Sequence, residues 1–200
     1  MSKLKGLLLT EGMHGMISQV EGLAKALDIE FTHQKVELNS FWKMIPPYLT
    51  PVSQLVFKKL DVPDFDIIIS CGRKSVIPSI YLKKNSNKKI FNIHIQDPKV
   101  SLKHFDLIIC PEHDRLKGAN VINTKGAIHY LSKKEIDGKS KHLKIDKENK
   151  KIVAFLMGGP NKYFDYSEDQ VDFVFNKIKN LFTADKYKII IIPSYRTPEH

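Results

Sequence analysis

An α/β fold, with a parallel sheet covered by helices on both faces, follows from three features of this 200-residue chain. Short Leu-rich or β-branched runs alternate with segments of helical periodicity, the pattern of βαβ units. The runs are apolar nearly throughout instead of alternating, as strands buried on both faces are. They end in loops of Gly, Pro, Ser and charged residues, where open parallel sheets carry their ligands. With right-handed crossovers this arrangement is Rossmann-like.

Each element has a local reason. Residues 5–9 form a first strand, ending at Thr10-Glu11-Gly12-Met13-His14-Gly15. A helix follows, with Ile17, Val20, Ala24 and Leu27 spaced to share one face. Residues 31–38 alternate weakly and make a second strand. Within 41–60, Pro46, Pro47 and Pro51 separate a loop from a helix ending near Leu60. Residues 66–70 are a buried strand, and Cys71-Gly72-Arg73-Lys74-Ser75 leads from it into a helix through Leu82. Residues 90–95, 105–110 and 121–124 are further strands. The first two end at Gln96-Asp97-Pro98 and Pro111-Glu112-His113-Asp114-Arg115.

Residues 133–150 are charged, lack apolar periodicity and read as a linker. It joins an N-terminal Rossmann-like domain, 1–132, to the start of a second, 151–200. The second opens with a strand at 152–157, ending at Gly158-Gly159-Pro160-Asn161-Lys162. Ser167 and Gln170 are spaced as a capping box. The helix they open is expected to bury Val171, Val174, Phe175, Ile178, Leu181 and Phe182. A buried strand at 189–192 then ends at Ser194-Tyr195-Arg196-Thr197. Two strands and one helix do not close a doubly wound sheet, so this second domain is expected to be incomplete.

Composition narrows the function classes. With 42% hydrophobic and 27% charged residues, the chain is globular and not disordered. No apolar run approaches the ~20 residues of a membrane span. Leu7, Leu8 and Leu9 are too short a run for a secretory signal, so a cytoplasmic protein is expected. Two cysteines are too few for a disulfide scaffold or a Cys-based zinc site. Cys71 and Cys110, ending two strands taken as neighbours, read as small residues at the edge of the core. A net charge of +10 suits an acidic partner, whether nucleic acid, a phosphorylated substrate or an anionic membrane. Nearly all of it is Lys in a chain also rich in Asn and Ile, which compositional drift also produces. Aromatics are not interleaved with the basic residues as a nucleic-acid platform requires, so no nucleic-acid partner is expected.

Arg73, Arg115 and Arg196 are the only arginines, and all three follow strands. Arg donates in a planar, bidentate fork that suits phosphate. Gly12 and Gly15, and Gly158 and Gly159, lie in loops that lead to helices, a natural setting for an anion. Neither loop carries the dinucleotide fingerprint or the Walker A pattern. Gly72, Arg73, Lys74 and Ser75 form a third such loop. Glu112, His113 and Arg115, then Asn161, Ser194, Arg196 and Thr197, complete the candidate rim. His14 can serve as a general base toward an acceptor hydroxyl or stand as an ordinary loop histidine. Glu112, His113 and Asp114 are adjacent in sequence and read as a polar turn capped by Asp114 rather than a metal site. No metal or cofactor is expected.

The ordered stretches Ser70-Cys71-Gly72-Arg73-Lys74-Ser75, His94-Ile95-Gln96-Asp97-Pro98, Phe105 to Asp114 and Asn120-Val121, extended by Gly158-Gly159-Pro160-Asn161-Lys162 and Ser194 to Pro198, resemble the mitochondrial fission family founded on the plant "elongated mitochondria" protein, which has bacterial members. The first loop departs from the family's usual Asp-Gly then Gly-His: here Glu11 stands for the Asp, and Met16 follows Gly15. The resemblance implies a two-domain fold similar to GT-B glycosyltransferases and a nucleotide-sugar or other phosphorylated ligand. The donor diphosphate would sit near Gly158, Gly159 and Arg196, and the acceptor near the first-domain loops. The alternative is a non-catalytic scaffold with a protein partner, because the plant member is implicated in recruiting a dynamin-related GTPase.

Overall fold

The computed structural model describes residues 3–142, 144–146, 148–160, 164–165, 167–194 and 197. The chain divides into two compact units, Met1–Ile136 and Asp137–His200.

The first unit is a six-stranded, wholly parallel sheet: β1 (Lys5–Thr10), β2 (Glu30–Lys35), β3 (Ile67–Cys71), β4 (Phe91–Ile95), β5 (Leu107–Pro111) and β6 (Val121–Thr124). Their order is β2-β1-β3-β4-β5-β6. Helix α1 (His14–Ala26) covers one face and α2 (Val76–Lys84) the other. Every residue of β3 is buried, and its side chains divide between two cores. Ile68 joins Leu7, Leu9, Ile108, Val76, Ile77 and Ile80 of α2's face. Ile67 and Ile69 join Leu8, Ile93, Ile95, Val20 and Ala24 of α1's face. Each fully buried Leu or Ile contributes about 1.5–3 kcal/mol, which is why the central strands read as continuous apolar runs. The edge strands β2 and β6 are half-exposed.

Several expectations are corrected here. Of α1's predicted face, Val20 and Ala24 are buried, Ile17 is half-buried and Leu27, already the C-cap, is exposed. The second strand stops at Lys35, and Leu38 instead makes an isolated antiparallel bridge to Phe57. The predicted helix before Leu60 is absent. Three short 3₁₀ turns, Ser40–Lys43, Pro47–Leu49 and Gln54–Val56, stand there, because each proline removes a donor and restricts the residue before it. Cys71 and Cys110 are both buried, but they are not on neighbouring strands, since β4 lies between β3 and β5.

The stretch read as a linker begins with a helix, α3 (Lys133–Ser140). Ser132 Oγ accepts the Glu135 amide at 3.2 Å, and Glu135 Oε2 accepts the Ser132 amide at 2.8 Å. This is a capping box whose Ser-x-x-Glu spacing was legible in the sequence.

The second unit holds a two-stranded parallel sheet, β7 (Lys151–Met157) with β8 (Tyr187–Pro193), and helix α4 (Glu168–Leu181). The Ser167–Gln170 capping box is formed. The expected burial is not. Val171, Phe175, Ile178 and Phe182 are half-buried, and Val174 and Leu181 are exposed. Ile189 and Ile190 are half-buried, Ile191 and Ile192 exposed. One helix covers only one face of two strands, so no described residue of this unit is fully enclosed.

Candidate functional site

From β1 the chain passes to β2 on one side, then crosses to β3 on the other. The carboxyl ends of β1 and β3 therefore flank the point where strand order reverses, the place where such sheets leave a crevice. The loops after these two strands carry Gly12–Gly15 and Gly72–Ser75. The fold thus brings together two of the candidate groups that lie some sixty residues apart in sequence.

Gly12 has φ +89°, a conformation that favours glycine. Its amide donates to Thr10 Oγ1 at 3.1 Å, and that hydroxyl is 2.8 Å from His33 Nε2. Met13 is the N-cap of α1, with no side-chain cap and no acidic residue in the first turn. His14 and Gly15 are exposed there, and a Cβ on Gly15 would meet nothing.

Gly72 has φ +91°, and a Cβ there would come within 2.6 Å of Met16 Sδ. The positive φ favours glycine here, whereas the Met16 side chain is flexible and could shift aside. Ser75 is buried and its hydroxyl donates to the Gly72 carbonyl at 2.8 Å, so it braces the loop from behind. Arg73 turns away and donates to the Lys43 carbonyl. Lys74 faces the first loop. Its Nζ lies 2.6 Å from Glu11 Oε2, and its amide donates to Glu11 Oε1 at 3.4 Å. Glu11 is the residue that sequence reading left out of the site. Nothing local marks it: its pairing with Lys74 depends on β1 and β3 lying side by side.

The other candidates lie elsewhere. Glu112, His113 and Arg115 follow β5, two strands from β3 and so about 10 Å along the rim. They are exposed on a 3₁₀ turn, with Arg115 left-handed at φ 56°. Asp114 accepts the Cys110 thiol at 3.3 Å. No group of three His, Cys, Asp or Glu able to hold a metal occurs among the described residues. One Asp-x-Asp spacing, Asp64-Phe65-Asp66, precedes β3 at the opposite end of the sheet, where Lys88 pairs with both carboxylates at 2.8 Å.

Both thiols are pushed up to about 12, Cys71 by burial and then Glu11, Cys110 by burial and then Asp114, so neither is a thiolate nucleophile. His94 of β4 is 1% exposed, and its Nδ1 lies 2.9 Å from the Ser70 hydroxyl. Burial lowers its pKa to about 3, which keeps the imidazole neutral inside the core.

In the second unit, the Thr197 hydroxyl shares its one proton between the Met157 carbonyl at 2.9 Å and the Gly158 carbonyl at 3.2 Å. It also accepts the Ser194 amide at 2.8 Å. Gly158, Ser194 and Thr197 are therefore held together at the carboxyl ends of β7 and β8, with Gly159 adjacent. Asn161 and Arg196 lie outside the described residues. A pocket of about 420 Å³ against β7 and α4 is lined by Phe155, Met157, Val171 and Phe175 and has no charged side chain in its wall. Its chemistry is not that of an anion site.

A family model described as mitochondrial fission ELM1 matches residues 14–200. An uncharacterized protein of Rickettsia prowazekii (strain Madrid E) is 23% identical over 231 residues, covering 96% of this chain and 64% of that protein. The chain thus spans under two thirds of that relative. The mitochondrial fission protein ELM1 of Arabidopsis thaliana is 33% identical over 48 residues, 24% of this chain and 11% of the plant protein. No solved structure matches. No helix among the described residues is long and apolar enough to cross a membrane.

Proposed function

The chain belongs to the mitochondrial fission ELM1 family, and from that premise we propose that it binds a phosphorylated ligand, in the first instance a nucleotide-sugar, in the crevice between the β1 and β3 loops of a GT-B-like scaffold. The observation that carries this reading is the strand order β2-β1-β3, which sets the Gly12 and Gly72 loops at the switch point. Lys74 supplies the cation, and the uncapped first turn of α1 supplies amide dipoles. Glu11 is an internal anion already seated on Lys74. A phosphate entering the crevice takes its place, and Glu11 is then available to ligand hydroxyls. In a transferase, His14 would take the proton of an acceptor hydroxyl as its oxygen bonds to the sugar carbon, and the diphosphate would leave with the electron pair of the broken bond. This moves the diphosphate from the loops of Gly158, Gly159 and Arg196, where the resemblance puts the donor, to the crevice that holds Lys74; Gly158, Gly159, Ser194 and Thr197 are the second anion-binding candidate. A cytoplasmic location belongs to the same proposal.

A second reading, a non-catalytic scaffold with a protein partner, is favoured by the same ion pair: Lys74 is already neutralised without any ligand. Thermal melting against nucleoside diphosphates and their sugars separates the two, because a ligand that binds only the folded state raises the melting temperature. The expected result is a rise with one nucleotide, and a loss of affinity of about tenfold or more in Lys74→Ala, as for removal of one charge-assisted contact. No rise with any nucleotide leaves the scaffold reading. A rise that Lys74→Ala does not weaken places the ligand outside this crevice.

A further inference from the structure

We propose that the loop of residues 39–56 is a docking surface for an anionic lipid bilayer. Its ends are tied together: the Asn39 amide donates to the Val56 carbonyl at 2.9 Å, and Asn39 Nδ2 donates to the Leu55 carbonyl at 2.8 Å. It is thus a closed surface loop of the kind that carries function. Its inner side is anchored. Pro47, Thr50 and Val56 are buried, and Trp42 and Val52 pack on the core beside α2. Its outer side is apolar where a surface loop is ordinarily polar. Phe41, Met44, Tyr48, Leu49 and Leu55 are all exposed, Met44 at 85% and Leu55 at 77%. Single exposed apolar residues need no explanation, but five within fifteen positions do.

The charges around these side chains select the occupant. From Leu38 to Leu60 there is no acidic residue, and the only charged ones are Lys43, Lys58 and Lys59. Lys58 is held by Glu37 at 2.6 Å, whose carboxyl Lys43 also influences, and Lys43 and Lys59 are both exposed. Arg73 brings a third cation to the loop through its bond to the Lys43 carbonyl. Exposed apolar side chains flanked by cations, with Tyr48 among them and Trp42 half-buried against Phe41, match the interfacial zone of an anionic membrane. The exposed Asn39 and Ser40 add polar groups but no negative charge, so nothing between Leu38 and Leu60 repels an anionic surface. Attachment of this kind needs no spanning helix.

The chain's single tryptophan, Trp42, sits in this loop and reports on it directly. The experiment is co-sedimentation of the full chain with phosphatidylcholine vesicles, with and without phosphatidylglycerol, alongside Trp42 fluorescence with brominated acyl chains. The expected result is binding to the phosphatidylglycerol vesicles, weakened by salt, with quenching of Trp42. Met44→Ser with Leu55→Ser should lower partitioning about tenfold or more by removing apolar groups that the bilayer would bury. Both side chains are solvent-facing, so the double variant should keep the parent's melting temperature. Leu4→Ser with Leu27→Ser, exposed elsewhere on the unit, should leave partitioning unchanged. Absence of binding overturns the proposal. So does binding without Trp42 quenching that both double variants retain, which would be nonspecific attraction to the +10 chain. A dimer in solution that Met44→Ser with Leu55→Ser abolishes would assign the loop to a second copy instead.

Discussion

Glu11 shows what a single residue's neighbours decide. In sequence it is one acidic residue in a loop; in the fold its carboxylate meets both the Nζ and the amide of Lys74, and the pair ties together the loops after β1 and β3. His94 makes the same point inside the core. Its pKa is lowered from 6.5 to about 3, chiefly by burial. Below pH 6.5 the unfolded chain takes up a proton that the folded chain refuses until about pH 3. Stability is therefore whole above pH 6.5 and falls as pH drops, by about 1.4 kcal/mol per unit from this group. Urea titrations at successive pH values should show this slope, and His94→Gln should remove one proton's worth of it. A His94→Gln slope equal to the parent's would mean that this histidine titrates normally.

At the scale of the element, helix α1 carries Gly22 where propensity alone would prefer Ala by about 1 kcal/mol. A Cβ at Gly22 would lie 2.6 Å from the His129 carbonyl carbon and 2.9 Å from the Tyr130 amide nitrogen. These are backbone atoms and cannot swing aside. Overpacking of this kind costs about 1–3 kcal/mol, enough to reverse the propensity gain. Gly22→Ala is expected to lower the urea midpoint, and a raised midpoint would show that residues 129–130 do not press on α1. The 41–60 stretch and α4 are further lessons at this scale. Prolines converted the first into 3₁₀ turns, and the second formed where its capping box predicted but without the burial its apolar face implied.

At the scale of the molecule, the two units differ in what they enclose. The first buries a continuous double-faced core. No described residue of the second is buried, and a unit that encloses so little apolar surface is marginal by itself. Hydrogen exchange should reflect this: amides of β7 and β8 should exchange much faster than those of β3 and β4. Equal protection in the two sheets would mean that the second unit is enclosed by something more than α4.

The sequence by itself determined where the strands and most helices lie, because apolar runs, capping residues and prolines act over a few positions. It also determined that the chemistry-bearing loops follow strands, and its motifs determined the family. The neighbours of each strand were decided only by the tertiary structure. The crossover that sets β3 beside β1 joins residues some sixty positions apart, and no local pattern encodes that pairing or the placing of β4 between the two cysteine-bearing strands. The meeting of the β1 and β3 loops, the Glu11–Lys74 pair and the separation of the β5 loop from both follow from that choice. Burial in the second unit was also a tertiary matter, since an apolar face is enclosed only where another layer lies on it.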